Sequence, residues 1–301
     1  MEKEEARMSS PSRRKIREEM RVSSLSRRKM VDRTMTGLTA LCALFAAGSL
    51  FVILGYILAG GIRALSLGFL VNTPKPVGEP GSGIANAIVG SVILVGLGSL
   101  IGMPVGILGG VYLSEFGSNK FGQLLRFLID TLTGTPSIIV GVFVWTVMVK
   151  PMGHFSALSG SVALGIMMMP IVARTTEEMI RLVPHSLREA GLALGAPRWR
   201  VTLGVVLRTA ASGVATGGML AIARIAGETA PLLFTTLGLN YLSTDLNGPM
   251  ASLTFQIYYY AQSPYDEWHD MAWAATLVLV TMILALNITV RLLTRNRHRQ
   301  A

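Results

Sequence analysis

The sequence predicts an all-α membrane protein with six transmembrane helices and a short surface helix between the fourth and the fifth. Hydrophobic residues make up 51% of the 301 residues and charged residues only 15%, and no run resembles a soluble domain. The mean hydropathy of +0.52 is likewise typical of a polytopic membrane protein. Long charge-free runs are the second observation, and a charged segment that interrupts them is the third.

The predicted spans are apolar runs long enough to cross a bilayer, which takes about 20 residues in a helix. A tail at 1–33 precedes them and is predicted to be cytoplasmic and disordered, because it has too few apolar residues to bury. No small-residue cleavage site follows the first span, which is expected to remain as an anchor. A membrane domain at 34–295 and a basic tail at 296–301 complete the chain. Within that domain the spans lie at about 34–62, 84–114, 121–149, 158–182, 202–239 and 271–293.

Glycines at every fourth position mark the second span. This spacing forms one flat ridge along a helix, so a second helix backbone can approach closely, and we expect the span inside a bundle. Pro104 lies within the ridge and predicts a kink. The glycines are Gly98, Gly102, Gly106 and Gly110.

The third span is interrupted by the sequence TLTGTPS at Thr131–Ser137. Thr135 followed by Pro136 is the N-cap and first-residue pair of a new helix, so we predict a broken or kinked span. A broken helix would expose backbone amides that attract anions, and Ser137 lies in the same turn. A purely structural proline kink is the alternative.

The segment from Pro184 to Arg208 carries the charged interruption. Ser186 and Glu189 form a capping box, so a helix is predicted at about 186–196. Its apolar face is expected to contain Leu187, Ala190, Gly191 and Leu194, with Arg188 and Glu189 facing elsewhere. Gly195, Ala196 and Pro197 should end it. A helix this short suits contact with a soluble partner better than a membrane crossing.

Lys and Arg are distributed asymmetrically between the loops. Both tails and the loop at 174–200 are rich in arginine, and 11 of the 27 Lys and Arg residues lie before Thr34. The loop at 238–270 has four acidic residues and no Lys or Arg. Positive charge stays on the cytoplasmic side, so both termini and the short helix are predicted to be cytoplasmic, in a multi-pass plasma membrane protein.

An apolar segment at 247–261 fits an interfacial or re-entrant helix, with aromatic residues at headgroup level. These are Tyr258, Tyr259, Tyr260 and Trp268.

Several classes of protein are disfavoured. The basic residues flank apolar spans and do not share a face with stacking aromatics, so nucleic-acid binding is disfavoured. Cys42 is the single cysteine, and the four histidines have no ligand spacing, so no metal site or disulfide is predicted. No phosphate-binding glycine loop or dinucleotide fingerprint occurs, and no catalytic residue or bound cofactor is predicted for this chain. If ATP powers transport, the ATPase is another chain.

Charged residues also occur near or within two spans. In the fourth, Arg174 can reach Glu177 or Glu178, an arrangement equally typical of a helix that emerges into water. In the fifth, Arg224 and Glu228 are separated by one helical turn. An arginine at the centre of a span costs about 2.5 to 3.5 kcal/mol and normally faces a bundle or a pathway. Either a structural ion pair or an arginine fork for an anion fits Arg224.

Four stretches resemble importer permeases of the ABC class. In the loop helix Glu189, Ala190, Gly191, Gly195, Val205 and Leu207 match the cytoplasmic loop motif of that class, although Gly191 replaces an alanine and Arg208 a proline. The other three resemble the PstA-type permeases of bacterial phosphate importers. They are ARIAGETAPLLFT (Ala223–Thr235), PIVARTTEE (Pro170–Glu178) and LIDTLTGTPSIIVGVF (Leu128–Phe143).

The resemblance implies a type I ABC importer permease bundle, also called MetI-like, in which the loop helix couples the spans to an ATPase. It implies phosphate import with a second homologous permease, a dimeric ATPase that binds ATP and Mg, and an extracytoplasmic phosphate-binding protein. The candidate substrate-pathway residues are Arg224, Glu228, Arg174, Thr135 and Ser137. The candidate coupling residues are Glu189, Ala190, Gly191, Leu194 and Gly195.

Other functions remain open at this point. A permease for sulfate or molybdate would have the same architecture. A proton-coupled secondary transporter would use Arg224, Glu228 and Asp130 as a proton relay, but it would leave the loop helix unexplained. A channel or a lipid-facing scaffold would leave the charges of the fifth span unused.

Overall fold

A computed structural model describes the backbone of residues 11–297 and the side chains of residues 28–289 and 292. This part of the chain is largely helical and contains no strand, apart from an isolated bridge between Leu237 and Met250. Two π-helical segments, Trp145–Val149 and Thr202–Val206, join neighbouring helices. The helices are α1 (Pro11–Ala64), α2 (Leu67–Val71), α3 (Ala85–Glu115), α4 (Lys120–Gly134), α5 (Ser137–Val144), α6 (Lys150–Met152), α7 (Ala157–Arg181), α8 (His185–Ala193), α9 (Arg198–Val201), α10 (Leu207–Ala226), α11 (Ala230–Thr235), α12 (Leu253–Ala261) and α13 (Asp266–Arg297).

The chain divides into two compact units, Met1–Tyr56 and Ile57–Ala301. In the first unit, the described side chains from 28 to 53 are all exposed. Residues 11–33, which the sequence predicted to be disordered, continue α1 instead. Once an apolar span has nucleated a helix, each added residue contributes one hydrogen bond, so polar residues can extend it. The described residues exclude 1–10 and 298–301. The second of these ranges belongs to the predicted basic tail.

The apolar helices account for the predicted membrane fold. In the described chain, five helices are long and apolar enough to cross a membrane, and a sixth crossing results if Lys120–Gly134 and Ser137–Met152 form one bent span. The five are Arg28–Ala64, Ala85–Glu115, Ala157–Arg181, Arg198–Ala226 and Asp266–Thr289. Each overlaps one of the spans predicted from the sequence.

The glycine ridge of α3 packs against α7. A Cβ added to Gly102 would lie 2.7 Å from the carbonyl oxygen of Gly165, and one on Gly106 would lie 2.7 Å from Val172 Cβ. All four ridge glycines are buried on this face. Side chains at these positions would separate the two backbones, so the predicted close approach is confirmed.

The third span is broken, as predicted, but not with the predicted cap. α4 and the helical stretch after it meet at 105°. Thr135 is not the N-cap of the new helix, because it ends α4, where its hydroxyl donates to the Thr131 carbonyl oxygen at 2.8 Å. Pro136 occupies the N-cap and Ser137 begins α5. The hydroxyl points back to the turn before it, as threonine side chains often do, and no side-chain hydrogen bond caps the next helix.

The fifth span also contains a break that the sequence interpretation missed. α10 ends at Ala226, and α11 begins at Ala230. The predicted continuous helix to residue 239 is therefore wrong beyond Ala226. Gly227 follows the last helical residue, and Pro231 lies in the first turn of α11. Glycine after a helix and proline at the start of one are the usual signals for such a boundary.

Two shorter helices show details that the sequence did not predict. Tyr260 is buried, because α12 folds onto the start of α13 and the centroid of its ring lies 5.2 Å from that of Trp268. For α8, Ser186 lies inside the helix and caps nothing, since the N-cap is Pro184, without a side-chain hydrogen bond. The predicted capping box is therefore wrong, because the N-cap lies two residues earlier, at Pro184, and Ser186 is already in the first turn of the helix.

Candidate substrate pathway and coupling surface

Arg224 and Glu228 lie on either side of the break after α10. Arg224 is in the last turn of α10 and is exposed, whereas Glu228 is half-buried in the segment between α10 and α11. The Gly227 and Glu228 amides donate to the carbonyl oxygens of Arg224 and Ile225 in a tight final turn. Glu228 is therefore not on the same helix as Arg224, and among the described residues neither forms an ion pair. The predicted i,i+4 pair is not formed.

Short polar contacts hold the break in place. Thr254 Oγ1 donates to the Glu228 carbonyl oxygen at 3.0 Å. The backbone amide of Leu253 donates to Ser91 Oγ at 2.7 Å, which attaches the start of α12 to α3. Helix α12 thus supports the backbone from which the Glu228 side chain projects.

The two broken spans contact each other. A Cβ on Gly141 of α5 would lie 2.7 Å from Pro231 Cα of α11. Thr135 and Ser137, the other predicted pathway residues on the third span, are half-buried at the start of this packed segment. The segments that follow both breaks are therefore adjacent.

Arg174 lies towards the end of α7, among carboxylates. Its Nε is 3.1 Å from Glu178 Oε1, and its Nη1 is 3.9 Å from Glu177 Oε2 and 4.0 Å from Asp130 Oδ1. The predicted reach to both glutamates is confirmed, and Asp130 joins from α4. Arg174 is half-exposed, so its guanidinium is open to solvent as well.

Sequence reasoning missed the burial of Glu177. This side chain is only 1% exposed, and its Oε1 accepts from Arg126 Nε at 2.8 Å and from Arg181. Arg126 also donates to the carbonyl oxygens of Gly117 and Leu113 at the end of α3. The signal was available, because Ala173, Glu177 and Ile180 continue the buried stripe of α7 at helical spacing.

The coupling helix α8 presents its apolar residues to solvent. None of its residues is fully buried, and Leu194, just beyond its end, is 89% exposed. We call Leu187, Leu192 and Leu194 the docking face. The predicted coupling residues Glu189 and Ala190 are exposed beside it, and Gly191 packs against Val201.

The end of α8 has the predicted glycine stop. Gly195 has φ +78°, and its amide donates to the Leu192 carbonyl oxygen, while the Ala196 amide donates to that of Gly191. This pair of bonds is a Schellman motif, which favours glycine in the left-handed position. Arg188, predicted to face away from the apolar residues of the helix, turns towards Glu115 and is only 15% exposed.

No group of three His, Cys, Asp or Glu side chains in the described part of the chain is arranged to hold a metal ion. The apolar helices, with one break in the third span and another in the fifth, are those of a multi-pass membrane protein.

Solved structures of ABC importers share this fold. An inward-facing MetNI methionine ABC transporter aligns with a TM-score of 0.57 at 19% identity, over 71% of this chain and 93% of that one. A bacterial ABC transporter involved in the import of the acidic polysaccharide alginate aligns with a TM-score of 0.55 at 15% identity, over 84% and 95%. The fold is therefore that of a MetI-like ABC importer permease.

Sequence comparisons show to which family of ABC importer permeases the chain belongs. The family model for the binding-protein-dependent transport system inner membrane component matches residues 102–299, and the chain belongs to this family. The phosphate transport system permease protein PstA of Haemophilus influenzae is 45% identical over 263 residues, which is 87% of this chain and 93% of that protein. PstA of Yersinia pestis is 47% identical over 77% and 79% of the two chains. PstA 1 of Mycobacterium tuberculosis is 35% identical over 68% of each.

Proposed function

We propose that this chain is the PstA-type permease subunit of an ATP-driven importer and carries inorganic phosphate across the plasma membrane. The observation that carries the proposal is Arg224, an exposed arginine without an ion-pair partner among the described residues, at the end of an apolar helix and next to a backbone break. The PstA relatives support phosphate as the substrate.

Phosphate carries between one and two negative charges near neutral pH. Stripping its water inside a membrane requires fixed positive partners, and an arginine fork matches its oxygens in a bidentate geometry. In this proposal Arg224 lines the path, and Glu228 offsets part of its attraction so that the anion is released again. Arg174 contacts the anion nearer the cytoplasmic mouth, where it exchanges carboxylate partners for phosphate. The turn at Thr135 and Ser137 contributes backbone amides.

The family and the docking face support three proposed partners. A second homologous permease completes the pathway, and a dimeric ATPase, which holds the ATP and Mg, receives α8 in a groove on the cytoplasmic side. An extracytoplasmic binding protein delivers phosphate. Exposed leucines on a short helix are the usual anchors of a helix that inserts into a partner's groove.

The orientation in the membrane is part of the proposal. Both termini and α8 are cytoplasmic and the acidic loop at 238–270 is outside, because Lys and Arg accumulate on the cytoplasmic side. Single cysteines replacing Ser243 and Arg198, in a Cys42→Ser background, should react with an impermeant thiol reagent from opposite sides. Labelling of both from the outside would contradict the six-span arrangement.

Transport itself is tested with the complex purified from membranes and reconstituted in vesicles. We expect a copurifying ATPase and uptake of labelled phosphate that requires ATP and the binding protein, with excess unlabelled phosphate as competitor. ATP-dependent uptake of labelled sulfate or molybdate, with no uptake of labelled phosphate, would assign another oxyanion. Uptake driven by a pH gradient without ATP would assign a secondary transporter and overturn the proposal.

A further inference from the structure

Arg188 is the charged residue of α8 that turns inward. Its Nε and Nη2 lie 3.0 and 2.8 Å from Glu115 Oε1, and the two side chains are only 15% and 12% exposed. Glu189, the next residue along the helix, is exposed. Burying a charge costs free energy unless the geometry is well matched, so the inward position of Arg188 requires these contacts.

The same guanidinium reaches a second helix end. Arg188 Nη2 donates to the Ile180 carbonyl oxygen at 2.9 Å, and Nη1 donates to that of Val183. The last carbonyl oxygens of a helix have no partner within it, and the helix dipole makes that end attractive to a cation. Arg188 thus satisfies carbonyl oxygens at the end of α7 while it pairs with Glu115, the last residue of α3.

These two helix ends belong to one tightly packed pair. The glycine ridge brings the backbones of α3 and α7 together from Gly98 to Gly110, so they resist relative movement. Gly191 supplies a further contact of α8, against Val201 at the start of the fifth span. A force applied to the docking face therefore reaches the α3–α7 pair through Arg188 and the fifth span through Gly191.

We propose that Arg188 is a positioning residue that transmits the movement of α8 to the α3–α7 pair. The inference rests on the proposed function, because it requires an ATPase that binds α8. Arginine suits the role because its planar fork serves a carboxylate and two carbonyl oxygens at once, which an ammonium group cannot do in this arrangement. Loss of the contact leaves the docking face intact but lets α8 move without the spans.

The test measures ATP hydrolysis and phosphate uptake in the same reconstituted vesicles. Arg188→Gln should retain the ATPase and hydrolyse ATP, while the ATP consumed per phosphate imported rises at least about fivefold. Glu115→Gln, which keeps the carbonyl contacts, and Arg188→Lys should each show a smaller rise. The charge-swapped double variant, Arg188→Glu with Glu115→Arg, should not recover the coupling, because a carboxylate at position 188 cannot donate to the Ile180 and Val183 carbonyl oxygens. Arg181→Gln is the matched control, because it removes an arginine that pairs within α7 and does not reach α8.

Two results would overturn the proposal. An unchanged ratio in Arg188→Gln and Glu115→Gln, in a preparation whose wild type imports phosphate with ATP, would show that Arg188 transmits nothing. Loss of the ATPase from both variants would show that the residue only builds the docking surface. Failure of the wild type to import phosphate would instead contradict the proposed function.

Discussion

The two ends of this bundle use arginine differently. Near the ends of α3 and α7, Arg126, Arg181 and Arg188 are each paired with a carboxylate, and two of them also bind backbone carbonyl oxygens. At the break after α10, Arg224 is exposed and has no such partner among the described residues.

The difference separates structural arginines from candidate transport arginines. A guanidinium whose donors are already used by the protein is held in one place and has little left for a ligand, whereas an uncommitted fork retains its donors for an oxyanion. Arg174 lies between these cases, since it is half-exposed and its carboxylate contacts reach 3.9 and 4.0 Å at Nη1. The predictions below test whether the distinction holds.

The largest effect on stability is expected from Glu177→Gln, near the ends of α3 and α7 where the arginines are paired with carboxylates. The change leaves Arg126 and Arg181 without their shared buried carboxylate, and breaking a buried pair costs about 3 to 5 kcal/mol. The yield and thermal stability of the detergent-purified complex should fall sharply. Glu178→Gln is the control, because that carboxylate is exposed and pairs only with Arg174 in the described chain, for a loss below about 1 kcal/mol. Equal stability of the two variants would contradict the comparison.

The next largest effect, on phosphate uptake, is expected from Arg224→Gln at the break after α10. Losing a charged hydrogen-bond donor to the anion costs about 1.5 to 3 kcal/mol, so uptake should fall roughly 10- to 100-fold. Stability should be unchanged, because no described carboxylate is left without a partner. Arg224→Lys should be impaired as well, since a point charge does not replace the fork. Arg208→Gln, which removes an exposed arginine at the other end of α10, is the control for uptake.

A double variant tests whether Arg224 and Glu228 form a stabilising ion pair. If Arg224 and Glu228 stabilised each other, the double variant Arg224→Gln with Glu228→Gln would restore function by leaving no charge unpaired. The break between them leads us to expect no recovery. Uptake by the double variant at the wild-type rate would remove Arg224 from the pathway.

A smaller effect on stability is expected from a substitution in the glycine ridge that packs α3 against α7. Gly106→Ala places a Cβ 2.7 Å from Val172 Cβ, and such overpacking costs about 1 to 3 kcal/mol. Thermal stability of the complex should fall, although every charge is retained. Gly96→Ala on the same helix meets nothing within 4 Å and should be neutral or slightly stabilising. A Gly106→Ala complex as stable as Gly96→Ala would show that the ridge is not tightly packed.

The smallest effect is expected at the coupling helix, from Gly195→Ala. No atom lies within 4 Å of the added Cβ, but φ of +78° costs a side-chain-bearing residue about 1 to 2 kcal/mol. We expect modestly weaker ATPase retention, measured by copurification, and a larger defect in Gly195→Trp. Gly204→Ala is the control, because its site is equally open and its backbone is helical. Wild-type uptake by Gly195→Trp would argue against the coupling assignment of this turn.

The sequence by itself determined features that depend on neighbours within about one helical turn. The apolar runs, the ridge from Gly98 to Gly110 and the glycine stop at Gly195 all have periodic or short-range signals, and the structure retains them. The contact of Arg174 with Glu178, one helical turn further on, belongs to the same group. The misplaced caps at Ser186 and Thr135 show the limit, because a hydroxyl can bond to either side of a helix boundary.

Only the tertiary structure decided which charged side chains form ion pairs. Arg126 pairs with Glu177 across 51 residues, and Arg188 pairs with Glu115 across 73. Spacing along the chain suggested instead that Arg224 pairs with Glu228, but the turn at Gly227 ends the helix before that contact forms. Ion pairing depends on which helix ends the packing of distant segments brings within hydrogen-bond distance. Local periodicity carries no information about that packing. That Arg224 has no carboxylate partner among the described residues therefore becomes visible only in the folded chain.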